Sequence, residues 1–118
     1  MAQPIPDPWR KRVIAALRTA DDNVIGWTLA ALQRWKADTV GAWQFEAYEA
    51  IIAALSNAEV TGNETSALAG QRAAYEFLFT YRPLEGGEQK TMYGKIALKG
   101  DGVRILILSA HTAERSNL

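Results

Sequence analysis

Apolar residues recur at helical spacing through residues 7–59. Asp7 followed by Pro8 is a typical helix start, and one apolar face follows it at helical intervals. A second such face follows a pair of aspartates, and a third follows Asp38 or Thr39. The three faces are formed by Trp9, Val13, Ala16, Leu17 and Ala20; by Ile25, Leu29, Leu32 and Trp35; and by Trp43, Ala47, Ala50, Ile51, Ala54 and Leu55. We therefore expect three helices in this half of the chain.

From Tyr75 the period of the apolar residues changes to two, which is typical of strands. Four aromatic residues alternate with other residues until Pro83 ends the segment. Residues 91–99 and 103–111 have the composition of two further strands, and the last is so apolar that we expect it to be central in the sheet. The aromatic residues on one face of the first strand are Tyr75, Phe77, Phe79 and Tyr81.

The remaining segments have no firm period. Residues 60–74 contain the breakers Gly62 and Gly70, and we expect a loop with one short helix there. Residues 112–118 should form a tail on the surface. A chain of 118 residues has the size of one domain. The predicted fold is a single α+β domain, in which N-terminal helices pack on a C-terminal antiparallel sheet of three or more strands over residues 75–111.

The turn at residues 100–102, Gly-Asp-Gly, leaves the register of the last two strands open. A two-residue turn would place His111 beside Met92, on the face away from Tyr93. A three-residue loop, or a bulge nearer the far end of the hairpin, would place Tyr93 and His111 on one face. The choice matters because a slip of one residue moves every side chain to the opposite face.

The composition excludes several classes of protein. Lys and Arg total 13 and Asp and Glu total 13, and a net charge of zero argues against a histone-like DNA-coating protein. There is no cysteine and a single histidine, His111, so we expect no disulfide, no metal site and no cofactor. The longest clean apolar run, residues 105–108, is too short for a membrane span, and the first residues lack the apolar part of a signal peptide. We expect a cytoplasmic protein with no membrane partner.

Four motifs occur in an order that resembles one protein family. They are Ile51-Ile52 with Leu55-Ser56, Tyr81-Arg82-Pro83, Tyr93-Gly94-Lys95-Ile96, and Ser109-Ala110-His111. Over about residues 48–111 the chain thereby resembles the MqsR-like branch of the RelE-type bacterial mRNA interferase toxins. The resemblance implies a small, RelE-like α+β toxin of a toxin–antitoxin pair that cuts mRNA without a metal. Its partners would be mRNA, free or on the ribosome, and a cognate antitoxin protein.

The same resemblance suggests individual functional residues. The functional tyrosine of the family falls on Tyr93, and its functional lysine at the end of the last strand falls on His111. The chain departs from the family at two points. Gly62 stands where the family has a lysine, and the glutamine that precedes Tyr-Arg-Pro in the family is missing.

Cleavage of RNA by its own 2′-OH requires a proton acceptor, a proton donor and cations beside the phosphate. Histidine can be either acceptor or donor near neutral pH, tyrosine can donate a hydrogen bond, and lysine and arginine bind phosphate. We therefore expect His111, Tyr93 and Lys95 to be catalytic. The residues expected to bind RNA are Arg82, Lys99, Arg104 and Arg115.

A binding function without catalysis is the alternative. His111 also fits an ordinary strand end, and Lys95 and Lys99 fit a solvated strand face. The zero net charge and the aromatic strand suit an interaction protein of the immunity or inhibitor type, or an inactive toxin-fold module, that binds a protein partner. The surroundings of His111 distinguish the two functions, because a catalyst should lie in a cleft flanked by cations and a binder should present a flat aromatic patch.

Overall fold

The computed structural model describes residues 2–66, 71–84 and 86–114, together with residue 118. These residues form three helices and one six-stranded sheet. The helices are α1 (Asp7–Thr19), α2 (Leu29–Asp38) and α3 (Gln44–Leu55). The strands are β1 (Gln3–Pro4), β2 (Ile25–Trp27), β3 (Thr61–Thr65), β4 (Gln71–Tyr81), β5 (Lys90–Lys99) and β6 (Ile105–Thr112). The α+β class expected from the sequence is confirmed.

The sheet has the strand order β1-β3-β4-β5-β6-β2. Its neighbouring strands are antiparallel except for β2, which pairs in parallel with β6. The sheet is therefore mixed, and the expectation of a purely antiparallel sheet is wrong at this edge. The apolar strand β6 is internal, since it lies between β5 and β2, as its sequence indicates.

Residues 25–27 form a strand where the sequence pattern predicts the start of the second helix. Trp27 pairs with Ile107 of β6. Helix α2 begins only at Leu29, because the side chain of Thr28 accepts a hydrogen bond from the backbone N–H of Ala31 and caps the helix. A strand of three residues is too short to show a period of its own within a longer helical spacing.

Much of the segment at residues 60–74 is strand rather than the expected loop and short helix. Strand β3 occupies Thr61–Thr65 and β4 begins at Gln71, while residues 67–70 lie outside the described residues. Gly62, which suggests a break, is required within β3, because a Cβ atom there would lie 2.2 Å from the carbonyl oxygen of Glu76. This close approach between strands is a requirement that no local pattern reveals.

Side chains from all three helices and from β4, β5 and β6 form one buried cluster. The ring of Trp9 in α1 lies edge-on to Phe77, with ring centroids 6.4 Å apart, and Trp35 in α2 lies edge-on to Tyr81 at 5.0 Å. These contacts involve the aromatic face of β4, and the alternate position Glu76 remains partly exposed. No helix in the described parts of the chain is long and apolar enough to cross a membrane.

The hairpin of β5 and β6 contains a bulge. Ile96 pairs with Ile107, as a two-residue turn predicts, but the next pair is Lys95 with Ser109. Leu108 is therefore an extra residue without a direct partner on β5. Beyond the bulge, each side chain of β6 lies on the opposite face of the sheet from the one that the register near the turn would give it. The register expected from a three-residue loop is wrong, and the alternative of a bulge away from the turn is correct.

Candidate functional site

A groove of about 570 Å³ lies beside the half-exposed ends of β5 and β6. Three adjacent strands, β3, β4 and β5, contribute side chains to it, together with β6 and the residues that follow β6. Its polar lining residues are Asn63, Glu76, Tyr93, His111 and Glu114.

Tyr93 and His111 are direct partners across β5 and β6. Their ring centroids lie 5.1 Å apart and their ring planes are inclined by 32°. The Nδ1 atom of His111 lies 2.9 Å from the backbone carbonyl oxygen of Thr112. A carbonyl oxygen can only accept, so Nδ1 carries the proton of this hydrogen bond and Nε2 remains for a ligand.

Glu76 is a carboxylate that lines the groove and accepts two side-chain hydrogen bonds. The Tyr93 hydroxyl donates to its Oε1 atom at 2.9 Å, and the Asn63 side-chain amide donates to its Oε2 atom at 3.0 Å. The sheet register produces this arrangement, because Glu76 on β4 pairs with Asn63 on β3 and with Lys95 on β5. Two donors from neighbouring strands therefore fix the orientation of the carboxylate.

The pKa of Tyr93 is raised to about 12, first by burial and then by the hydrogen bond to Glu76 and its negative charge. The phenol is therefore neutral throughout the physiological pH range. In this state it donates to the carboxylate, and it does not act as a base. Tyr93 is best described as a residue that positions Glu76 and lies against the ring of His111.

Lys95 lies on the same sheet face as Tyr93 and His111, but of these three expected catalytic residues only Tyr93 and His111 line the groove. Its β6 partner is Ser109, and its side chain is half-exposed. Among the described residues it makes no hydrogen bond or ion pair. Lys95 is not a lining residue of the groove, but it is adjacent to Glu76 across the strands.

The residues expected to bind RNA are not gathered at the groove. Lys99 is six residues along β5 from Tyr93, or roughly 20 Å at the usual strand rise. Arg104 lies in the hairpin turn and its Nε atom donates to Asp101 at 2.6 Å, while Arg82 follows β4 and donates to Gln89 at 2.9 Å. Arg115 lies outside the described residues.

Asp101 is engaged entirely within its turn. Its carboxylate accepts hydrogen bonds from the backbone N–H groups of Val103 and Arg104. The bond to the Arg104 backbone, then that to Val103, and the Arg104 side chain hold the pKa of Asp101 well below its usual range. The Arg104 side chain is therefore paired with Asp101 within the turn rather than directed to the groove.

Sequence reasoning missed Glu76 and Asn63 as site residues. The alternation along β4 does place Glu76 on the face opposite Tyr75 and Phe77, so its exposure on the sheet surface could be inferred. Asn63 gave no such signal, because its segment has the composition of a loop. Its proximity to Glu76 depends on the pairing of β3 with β4, which is a long-range property.

The groove matches neither of the two surroundings expected for His111. The described lining residues include the carboxylates of Glu76 and Glu114 and include no lysine or arginine. The groove is also concave, rather than a flat aromatic patch. No group of three or more His, Cys, Asp or Glu side chains that could hold a metal ion occurs within the described ranges.

Comparisons with protein-family models, with curated proteins and with solved structures gave no match.

Proposed function

We propose that this protein is a cytoplasmic endoribonuclease toxin of a toxin–antitoxin pair and that RNA is cleaved in the groove between Glu76 and His111. One observation carries the proposal: a carboxylate and an imidazole, the two side chains that most often transfer protons in enzymes, line the same groove. The positions that the family resemblance suggests, Tyr93 and His111, face each other there, which supports the same site.

The proposed reaction begins with the 2′-OH of a bound nucleotide. Ionised Glu76 accepts the 2′-OH proton, and the 2′ oxygen forms a bond to the adjacent phosphorus. The bond from phosphorus to the 5′ oxygen breaks, and protonated His111 donates its Nε2 proton to that oxygen. The products are a 2′,3′-cyclic phosphate and a 5′-hydroxyl, so atoms and charge balance. DNA lacks the nucleophile and is not a substrate.

Other residues near Glu76 and His111 hold these two side chains in place or stabilise charge on the phosphate. The hydrogen bonds from Tyr93 and Asn63 hold the carboxylate of Glu76 in one orientation, which lowers the entropy lost on reaching the transition state. The Thr112 carbonyl holds the imidazole of His111 through Nδ1. Lys95, adjacent to Glu76, is the cation best placed to stabilise the negative charge that develops on the phosphate oxygens.

The acidic lining of the groove favours a second candidate function. Among the described residues, Glu76 and Glu114 line the groove and no lysine or arginine does, which suits a basic side chain better than a phosphate, since like charges repel. In this alternative the groove accepts a lysine or arginine of a protein partner and no bond is broken.

Expression in a bacterial host separates the two functions. We expect the wild type to arrest growth and shorten mRNA, while His111→Ala and Glu76→Gln relieve both effects, because a proton-transfer residue typically contributes about 10²–10⁴-fold. Glu59→Gln is the matched control, since Glu59 is exposed and lies outside the groove. It should behave like the wild type. A harmless wild type with intact transcripts would contradict the nuclease proposal and favour the binding function.

A further inference from the structure

A second surface exposes large apolar side chains, and none of its residues lines the groove described above. Val40, Trp43 and Leu84 are 92%, 71% and 68% exposed. Together with Pro83 and the buried Tyr81, they line a depression of about 200 Å³. We refer to Val40, Trp43, Pro83 and Leu84 as the Trp43 patch.

Val40 adopts a backbone conformation that is unfavourable for its side chain. Its φ is 57°, and the N–H of Gly41 donates to the carbonyl oxygen of Lys36 at 2.8 Å, which closes the end of α2. Glycine usually occupies the left-handed position of such a helix end, and a β-branched residue is strained there. In the single chain this strained side chain is almost fully exposed, so it gains no burial. A partner that covers it would explain its presence.

The Trp43 patch has the features of a surface that fits its own copy. Trp43 is largely exposed and lines the depression, so the side chain that could insert and the cavity that could receive it lie on one surface. A neighbouring depression of about 230 Å³ shares Glu46, Tyr81 and Leu84 with the first, and the exposed side chains of Glu49 and Arg82 line it. Across a twofold axis Glu49 of one copy can pair with Arg82 of the other, and the reverse pair then forms as well.

The exposed area is also of the right order. The three apolar side chains expose at most roughly 400 Å² in each copy, on an upper scale of about 150–250 Å² that is set by aromatic side chains. Two copies would bury up to roughly 800 Å² through these residues alone, about two thirds of the roughly 1,200 Å² at the lower end of stable interfaces. We propose that two copies of this chain form a twofold dimer through the Trp43 patch, with each Trp43 inserted into the depression of the other copy.

Sedimentation velocity of the full chain across micromolar to millimolar concentration tests the dimer. We expect a concentration-dependent dimer, and we expect Trp43→Ala and Leu84→Ala each to raise the dissociation constant at least about tenfold. Leu29→Ala is the matched control, because Leu29 is equally exposed but lies outside the patch. A wild type that is monomeric at every concentration, or a Leu84→Ala effect no larger than that of Leu29→Ala, would overturn the proposal.

Four further variants separate docking from folding. Val40→Gly should raise the melting temperature of the dilute monomer, because it relieves the strained φ, and should still weaken the dimer. Glu49→Arg and Arg82→Glu should each weaken the dimer, whereas the double variant should restore it. A Val40→Gly protein that is more stable and dimerises like the wild type would contradict the assignment, as would a double variant no better than the two single variants.

Discussion

Tyr93 and His111 face each other across β5 and β6 because Leu108 is inserted between the partners of Lys95 and Ile96. With the register near the turn continued unchanged, His111 would lie opposite Met92, whose side chain is fully buried. The bulge thus directs the imidazole into the groove rather than into the core. Bulges commonly redirect side chains beside functional sites, and here the effect brings the imidazole to the same groove as Glu76.

The core beside this bulge depends on Ile107, which is fully buried and pairs with both Ile96 and Trp27. Ile107→Ala should lower the free energy of unfolding by about 2–5 kcal/mol, because it removes apolar contacts and leaves a cavity. Chemical denaturation measures the change. Leu106→Ala, at the half-exposed neighbouring position, is the control and should have a smaller effect. Equal losses in the two variants would show that Ile107 does not have the core role described here.

Arg10 should matter for stability although it lies in a run of basic residues. Its side chain is buried, and Nη1 donates to the carbonyl oxygen of Leu55 at the end of α3 at 2.7 Å, while Nε donates to that of Ile5 at 3.3 Å. Arg10→Met would leave these two carbonyl oxygens without their donor, and we expect a loss of about 2–4 kcal/mol.

The exposed neighbour of Arg10 provides the control. Lys11→Met removes the same charge from the next position of α1 and should change the free energy of unfolding by less than about 0.5 kcal/mol. If both variants unfold at the same denaturant concentration as the wild type, Arg10 does not hold the end of α3.

Two tyrosines with raised pKa values, the buried Tyr81 and the half-buried Tyr93, predict a loss of stability at alkaline pH. Burial and the neighbouring carboxylates of Glu46 and Glu76 raise the pKa values of Tyr81 and Tyr93 to about 12, from the usual value of about 10. The unfolded chain therefore loses these protons before the folded chain does. This contribution to stability is complete below pH about 10 and is lost as the pH rises through about 12.

Melting temperatures measured between about pH 9 and about pH 12 test this link between tyrosine deprotonation and stability. The wild type should lose stability more steeply with rising pH than Tyr93→Phe, because the variant has one fewer tyrosine with a raised pKa. In the folded wild type, the tyrosinate absorbance of these residues should appear at a higher pH than the usual tyrosine pKa of about 10. Parallel curves for the two proteins would show that Tyr93 titrates normally and is not held by Glu76.

The sequence predicted those features that depend on local periodicity. The aromatic face of β4, the apolar interior strand β6 and most of the helical positions follow from spacing alone. Strand β2 was missed because three residues show no period, and β3 was missed because Gly62 and Asn63 have the composition of a loop. Both belong to strands because of contacts that are distant in sequence, including the close approach of Gly62 to Glu76.

For the candidate site, the sequence likewise predicted individual residues but not how strand pairing brings them together. Tyr93, Lys95 and His111 were identified from residue type and resemblance, but their common face required a bulge that the turn sequence does not encode. Glu76 and Asn63 join the site through strand pairing, which a single sequence does not reveal. The expected cations at Lys99, Arg104 and Arg82 instead lie at the ends of strands, where local hydrogen bonds involve both arginines.

Cleavage of a synthetic RNA by the purified full chain tests the central claim most directly. A matched strand with 2′-deoxy nucleotides serves as the comparison, and mass spectrometry identifies the products. We predict fragments with 2′,3′-cyclic phosphate and 5′-hydroxyl ends from the RNA, and none from the deoxy strand. The rate should fall by about 10²–10⁴-fold in His111→Ala and in Glu76→Gln and should be unchanged in Glu59→Gln. An RNA that remains intact, or one that His111→Ala cleaves as fast as the wild type, would contradict the proposed site.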